Sequence, residues 1–136
     1  MATTINATTG GAGGVVITPD TSGIVQVQSN GVNTNAQAWV NYNGVSQTIR
    51  ASYNISSVTR TGAGLYTVNF TNAMVDANYC VLLSKQNPAG TNMQDIAVFN
   101  SVSGSVTTVA PTTTAYTIML NNSLTDSAYV MSVVFR

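Results

Sequence analysis

Four aspartates, Asp20, Asp76, Asp95 and Asp126, are the only carboxylate side chains in this chain, which has no histidine and no glutamate. Without histidine the commonest general base and the commonest metal ligand are missing, and with them every Ser-His-Asp or Cys-His arrangement. Two aspartates could hydrolyse a glycoside if their carboxyls stood roughly 5 to 10 Å apart. Asp20, Asp76 and Asp126 instead fall in turn-like stretches, where capping a backbone N–H is the simpler role. Gly10-Gly11-Ala12-Gly13-Gly14 is glycine-rich but lacks the Lys-Ser or Lys-Thr and the helix of a phosphate loop. No stretch gathers two acidic residues for calcium, and the lone Cys80 has no second thiol for a disulfide or a zinc site. The expectation is a protein that is not an enzyme, with no catalytic residue, no cofactor and no metal.

Contact chemistry is better represented. Trp39, with Tyr42 nearby, could stack on a sugar ring; the competing role is packing in a core or a subunit interface. Arg50 could pair with Asp76 or another carboxylate and set register between strands or subunits; the competing state is a solvated guanidinium. Trp39, Tyr42 and Arg50 are therefore the candidate assembly or ligand contacts. Cys80 lies inside the apolar run Tyr79-Cys80-Val81-Leu82-Leu83, where a free cysteine is expected to be buried and inert. An exposed thiol linking subunits is the alternative.

The elements that must position these residues alternate with a period of two. Ala38, Val40 and Tyr42 share one face of a strand and Trp39 and Asn41 the other. Ile49, Ala51 and Tyr53 oppose Arg50, Ser52 and Asn54. Tyr66, Val68 and Phe70 oppose Leu65, Thr67 and Asn69. This period predicts sheets with one buried and one wet face. Asn43-Gly44 and residues 61–64 are the expected hairpin turns. Further on, residues 95–100, 106–111, 115–121 and 128–136 read as strands. In the last, Tyr129, Met131, Val133 and Phe135 face one way, and Val130 and Val134 make the other face apolar too, so it is expected to be central or at an interface. Residues 72–78 are the only stretch that could form a turn or two of helix. Nine or ten short strands separated by Gly, Asn and Pro turns predict an all-β antiparallel sandwich or jelly roll. Residues 1–35, with the turn Pro19-Asp20-Thr21-Ser22-Gly23 and the dipeptide Asn30-Gly31, read as an extended N-terminal arm or hairpin used in assembly. Residues 36–136 read as the sandwich domain. Residues 71–81 and 122–130 echo one another weakly, each with an aspartate three residues before a tyrosine (Asp76 and Tyr79, Asp126 and Tyr129).

Four segments carry a resemblance: AWVNYNG from Ala38, IRASYNISSV from Ile49, GAGLYTVNFT from Gly62 and AMVDANY from Ala73. Together they resemble a module of phage structural proteins, frequent in phages of aquatic bacteria and often placed in tail fibres. The opening residues are similar to another recurrent phage element. The resemblance implies a virion structural protein with no agreed catalytic residues. It also implies a homotrimer that covers the edge strands. Within that class the expected role is capsid decoration, a cement protein on the head surface bound to the major capsid protein. A single module with an arm and no shaft suits that role. The alternative is the receptor-binding tip or small fibre of the tail, with a tail protein and a host surface glycan as partners.

Composition narrows the partners. Hydrophobic residues make up 44% of the 136 and charged residues 6%, with a formal net charge of zero. Asn, Ser, Thr and Gln supply the polarity, and a surface with so little self-repulsion tends to associate. Arg50, Arg60, Lys85 and Arg136 are scattered among the aspartates, whereas nucleic acid requires a concentrated basic patch. No nucleic-acid partner is expected. No apolar run approaches the ~18 residues of a spanning helix, and the N-terminus lacks the basic and apolar regions of a signal peptide. The expectation is synthesis in the host cytoplasm, no membrane insertion and a final place on the virion surface.

Overall fold

The computed structural model describes residues 28–29, 32–33, 35–86, 96–98, 100–103, 105–120 and 125–136. Twelve strands lie among them: β1 (Gln28–Ser29), β2 (Val32–Asn33), β3 (Ala38–Asn43), β4 (Thr48–Tyr53), β5 (Ile55–Gly62), β6 (Leu65–Phe70), β7 (Cys80–Lys85), β8 (Ile96–Val98), β9 (Asn100–Ser103), β10 (Ser105–Thr108), β11 (Ala115–Leu120) and β12 (Val130–Phe135). Two four-stranded antiparallel sheets, in the orders β4-β3-β12-β7 and β5-β6-β11-β8, pack face to face. The fold is the expected all-β sandwich. Of the expected arm, β1 and β2 pair as a two-stranded ribbon, and its remaining residues before Asn35, with Asp20 and residues 10–14, lie outside the described ones. So does Asp95.

The period-two pattern decides which side chains enter the core. Ala38, Val40 and Tyr42 of β3 and Val130 and Val134 of β12 meet Tyr66, Val68 and Phe70 of β6 and Tyr116 and Ile118 of β11. Burying each large apolar side chain contributes about 1.5–3 kcal/mol, so these facing rows are the main stabilising term. Aromatic rings fill the middle. Tyr42 meets Tyr66 edge-on at 5.1 Å between centroids, and Phe70 lies 5.5 Å from Tyr79 and 5.6 Å from Tyr116. Their hydroxyls are mostly satisfied. Tyr79 donates to the carbonyls of Thr112 and Ala115, both at 3.0 Å, and Tyr116 shares a 2.6 Å bond with Ser132. Burial holds both phenols neutral, pushing each pKa up to about 12. Strand β12 is central, paired with β3 on one side and β7 on the other, which is one of the two places expected for it.

Several local expectations are corrected. Residues 72–78 form bends rather than a helical turn; Asp76 Oδ1 accepts from the Asn78 N–H at 2.8 Å, which closes a local turn. The β3–β4 connection spans residues 44–47, and its left-handed residue is Gln47 (φ 59°), not Asn43 or Gly44. Asn43 Oδ1 accepts from the N–H groups of Val45 and Ser46 and so organises a longer turn. Gly44 is needed for space: a Cβ there would sit 2.4 Å from the Tyr66 hydroxyl and 2.8 Å from the Ser127 carbonyl oxygen.

The largest departure is in β4. Trp39 pairs with Tyr53 and Asn41 with Ala51, but Tyr42 pairs with Ile49, leaving Arg50 as an extra residue. This β-bulge reverses the alternation. Ile49 packs against the core, whereas Ala51 and Tyr53, expected to share its face, lie opposite the outward-facing Asn41 and Trp39. The chain then changes sheets at Asn54, which is left-handed (φ 54°). Asn54 Nδ2 donates to the carbonyls of Gln37 and Asn72, and its Oδ1 accepts from the Asn72 N–H at 2.8 Å.

Candidate functional site

The four-strand register places two rows of side chains on the outer face of the β4-β3-β12-β7 sheet. The first row runs Tyr53, Trp39, Val133, Leu82, and the second Ala51, Asn41, Met131, Ser84. Trp39 is 39% exposed, Tyr53 44%, Leu82 57% and Met131 36%. A shallow groove of about 440 Å³ crosses this face between Trp39, Leu82 and Met131. Neither row contains a charged residue. In a chain with only 6% charged residues, this concentration of exposed aromatic and aliphatic surface is the strongest candidate for a contact site among the described residues.

The candidate residues separate. Trp39 lies on this face, in neither the core nor bulk solvent. Tyr42, three residues along the same strand, necessarily points to the other side and is buried at 1% exposure; it offers no contact surface, contrary to the grouping of the two aromatics. Among the described residues its hydroxyl has no hydrogen-bond partner. Burial, with the nearby Tyr66, pushes its pKa far above the ordinary phenol value. Arg50 does not pair with Asp76. From the bulge its guanidinium donates to the Ala128 carbonyl at 2.8 Å and to Asn41 Oδ1 at 3.4 Å, and it lies 4.1 Å from the centroid of the Tyr129 ring. Arg50 is thus a strap over one end of the outer face, tying β4 to the segment before β12, with a cation–π contact besides. Its partners are a carbonyl, an amide oxygen and an aromatic ring rather than a carboxylate.

Cys80 is exposed, contrary to the expectation of burial. It is the partner of Phe135 in the β7–β12 ladder and so belongs to the outer face. An apolar run gives no parity by itself; here both faces of β7 carry apolar residues, and the thiol fell on the outer one.

Two aspartates are committed to arginines. Asp76 accepts from Arg136 Nε at 2.8 Å and from its Nη2. The bond from Arg136, with that from the Asn78 N–H, lowers its pKa to about 2. Asp126 accepts from Arg60 Nε and Nη2, from the Gly64 N–H at 2.9 Å and from the Tyr66 hydroxyl. Partial burial alone would raise the Asp126 pKa, but these donors outweigh it and the net direction is down. The Tyr66 phenol moves up, through burial first and then through its bond to Asp126. Capping was the expected role for both residues. Asp76 performs it locally, while Asp126 caps a hairpin more than sixty residues away in the chain. The echo between the two segments ends at the tyrosines: Tyr79 is buried and Tyr129 exposed.

Tyr53, Leu82 and Met131 were missed as site residues. The alternation of β12 grouped Met131 with Tyr129, Val133 and Phe135, but with both faces apolar it did not say which one points outward. Tyr53 was concealed by the bulge and Leu82 by the uniform apolarity of β7.

No protein-family model, no curated protein and no solved structure matches the chain.

Proposed function

We propose that this protein is a non-enzymatic structural protein of a phage virion, acting as a capsid decoration (cement) subunit on the head surface. The observation that carries the reading is the uncharged apolar face around Trp39, Tyr53, Leu82 and Met131, which suits a subunit that works by being covered. The segments that resemble the phage module contribute to the same design. Ala38, Val40, Tyr42, Tyr66, Val68 and Phe70 fill the core, while Trp39 and Arg50 shape the outer surface. In this reading the subunit is made in the host cytoplasm, assembles as a homotrimer and contacts the major capsid protein.

A second reading, a receptor-binding tip or small fibre of the tail, is favoured by the same sequence resemblance and by an exposed aromatic, Trp39, able to stack on a host surface glycan. Gold-labelled antibody on intact particles, viewed by electron microscopy, separates the two. Label over the head at hundreds of copies supports decoration. Label confined to the tail at a few tens of copies supports the second reading. Particles without label, and without the protein by mass spectrometry, would overturn both.

A further inference from the structure

We propose that the outer face of the β4-β3-β12-β7 sheet is the surface through which copies of this chain bind one another. The inference deepens the reading above and rests on it for there being an assembly to enter.

Three properties favour a second copy as the occupant. The first is charge. A patch shared by copies of one chain brings like groups close around the symmetry axis, whether two-fold or three-fold, and a charged patch then repels itself. The row Tyr53, Trp39, Val133, Leu82 and the neighbouring Met131 carry no charge, and Arg50, at the margin, is held by the Ala128 carbonyl and the Tyr129 ring.

The second property is area. At their exposures the four large side chains leave roughly 400 Å² uncovered. The smaller members of both rows and the flanking Tyr129 bring the face to on the order of 700 Å², close to the ~800 Å² that each partner gives a standard interface.

The third property is composition. Aromatic residues and methionine at the centre, with Asn41 and Ser84 among them and an arginine at the margin, match an interface core and its rim. Cys80, opposite Phe135 on the same face, supplies a built-in reporter of whether the face is covered.

The test is light scattering on the purified full chain, whose single-copy mass is 14.1 kDa. The wild type is expected at two or three times that mass, with Cys80 slow to react with a maleimide. A Leu82→Lys, Met131→Lys double variant is expected at the single-copy mass, with Cys80 labelled at least tenfold faster and the far-UV circular dichroism unchanged. Both positions face solvent within one chain, so the charges do not enter its core. Val75→Lys, at an 83% exposed position outside both rows, is the control and should keep the wild-type mass. A single-copy wild type at about 100 μM would overturn the proposal, as would a double variant that keeps its mass. A single-copy wild type retained on a neutral-glycan array through Trp39 would give the face to a sugar instead. The assay needs no particle, so its failure leaves the virion reading standing, and absence of label on particles leaves the self-contact standing.

Discussion

The Tyr66 hydroxyl donates to Asp126 Oδ1, and through this contact the β5–β6 hairpin is fastened to the segment that leads into β12. Asp126 also takes the Gly64 N–H from the turn of that hairpin and the Arg60 fork from its first strand. Tyr66 reaches on to the Gly44 carbonyl at 3.3 Å, and the Gly44 N–H donates to the Ser127 carbonyl at 2.8 Å. One carboxylate thus closes one end of the sandwich by linking the two hairpin turns of opposite sheets.

Asp126→Ala removes the acceptor shared by three donors and leaves the Tyr66 hydroxyl with only its long bond to Gly44. The expected loss is about 2 kcal/mol of folding stability, read as a lower urea midpoint at unchanged m value. Asp126→Asn should lose less, since an amide oxygen can still accept from the Gly64 N–H.

Acid should weaken the fold in a defined window. Asp76 and Asp126 both have folded pKa values below the ordinary carboxylate value, Asp76 at about 2. Groups depressed in this way contribute stability that is fully present above the unfolded carboxylate pKa of about 4. It is lost as pH falls through the folded values. Thermal midpoints should therefore be flat between pH 7 and 5 and drop between about pH 4 and 2, with a shallower drop in Asp76→Asn.

Gly44→Ala should be costly although the position is in a surface turn. The added methyl would meet both the Tyr66 hydroxyl and the Ser127 backbone oxygen, and the latter cannot move without shifting the segment that holds Asp126. A loss of about 2 kcal/mol is expected. Val45→Ala, next to it and exposed, should change the chemical-denaturation midpoint very little.

Asn54→Val tests the corner where the chain passes from one sheet to the other. A β-branched residue at φ 54° is strained, and the bonds to Gln37 and Asn72 are lost with the amide. The expected cost is about 3 kcal/mol. Asn54→Gly keeps the backbone geometry and should cost about 1 kcal/mol. Equal losses in the two variants would mean that the backbone conformation at the corner contributes nothing.

The sequence by itself determined the fold class and the two faces of the strands β3, β6 and β12, because alternation is a property of a single extended strand and needs no partner. It left β12 central or at an interface, since both of its faces are apolar, and the pairing with β3 and β7 decided for the centre. The tertiary structure alone decided what depends on pairing. The bulge at Arg50, visible only against β3, turned Ala51 and Tyr53 outward beside Trp39 and Asn41. Strand β7, apolar on both faces, took its parity from β12 and left Cys80 and Leu82 outside. The partners of the charges were also decided there. Arg136 and Asp76 are 60 residues apart and Arg60 and Asp126 are 66, and only the closed sandwich brings such groups within reach, leaving Arg50 to a carbonyl and an aromatic ring.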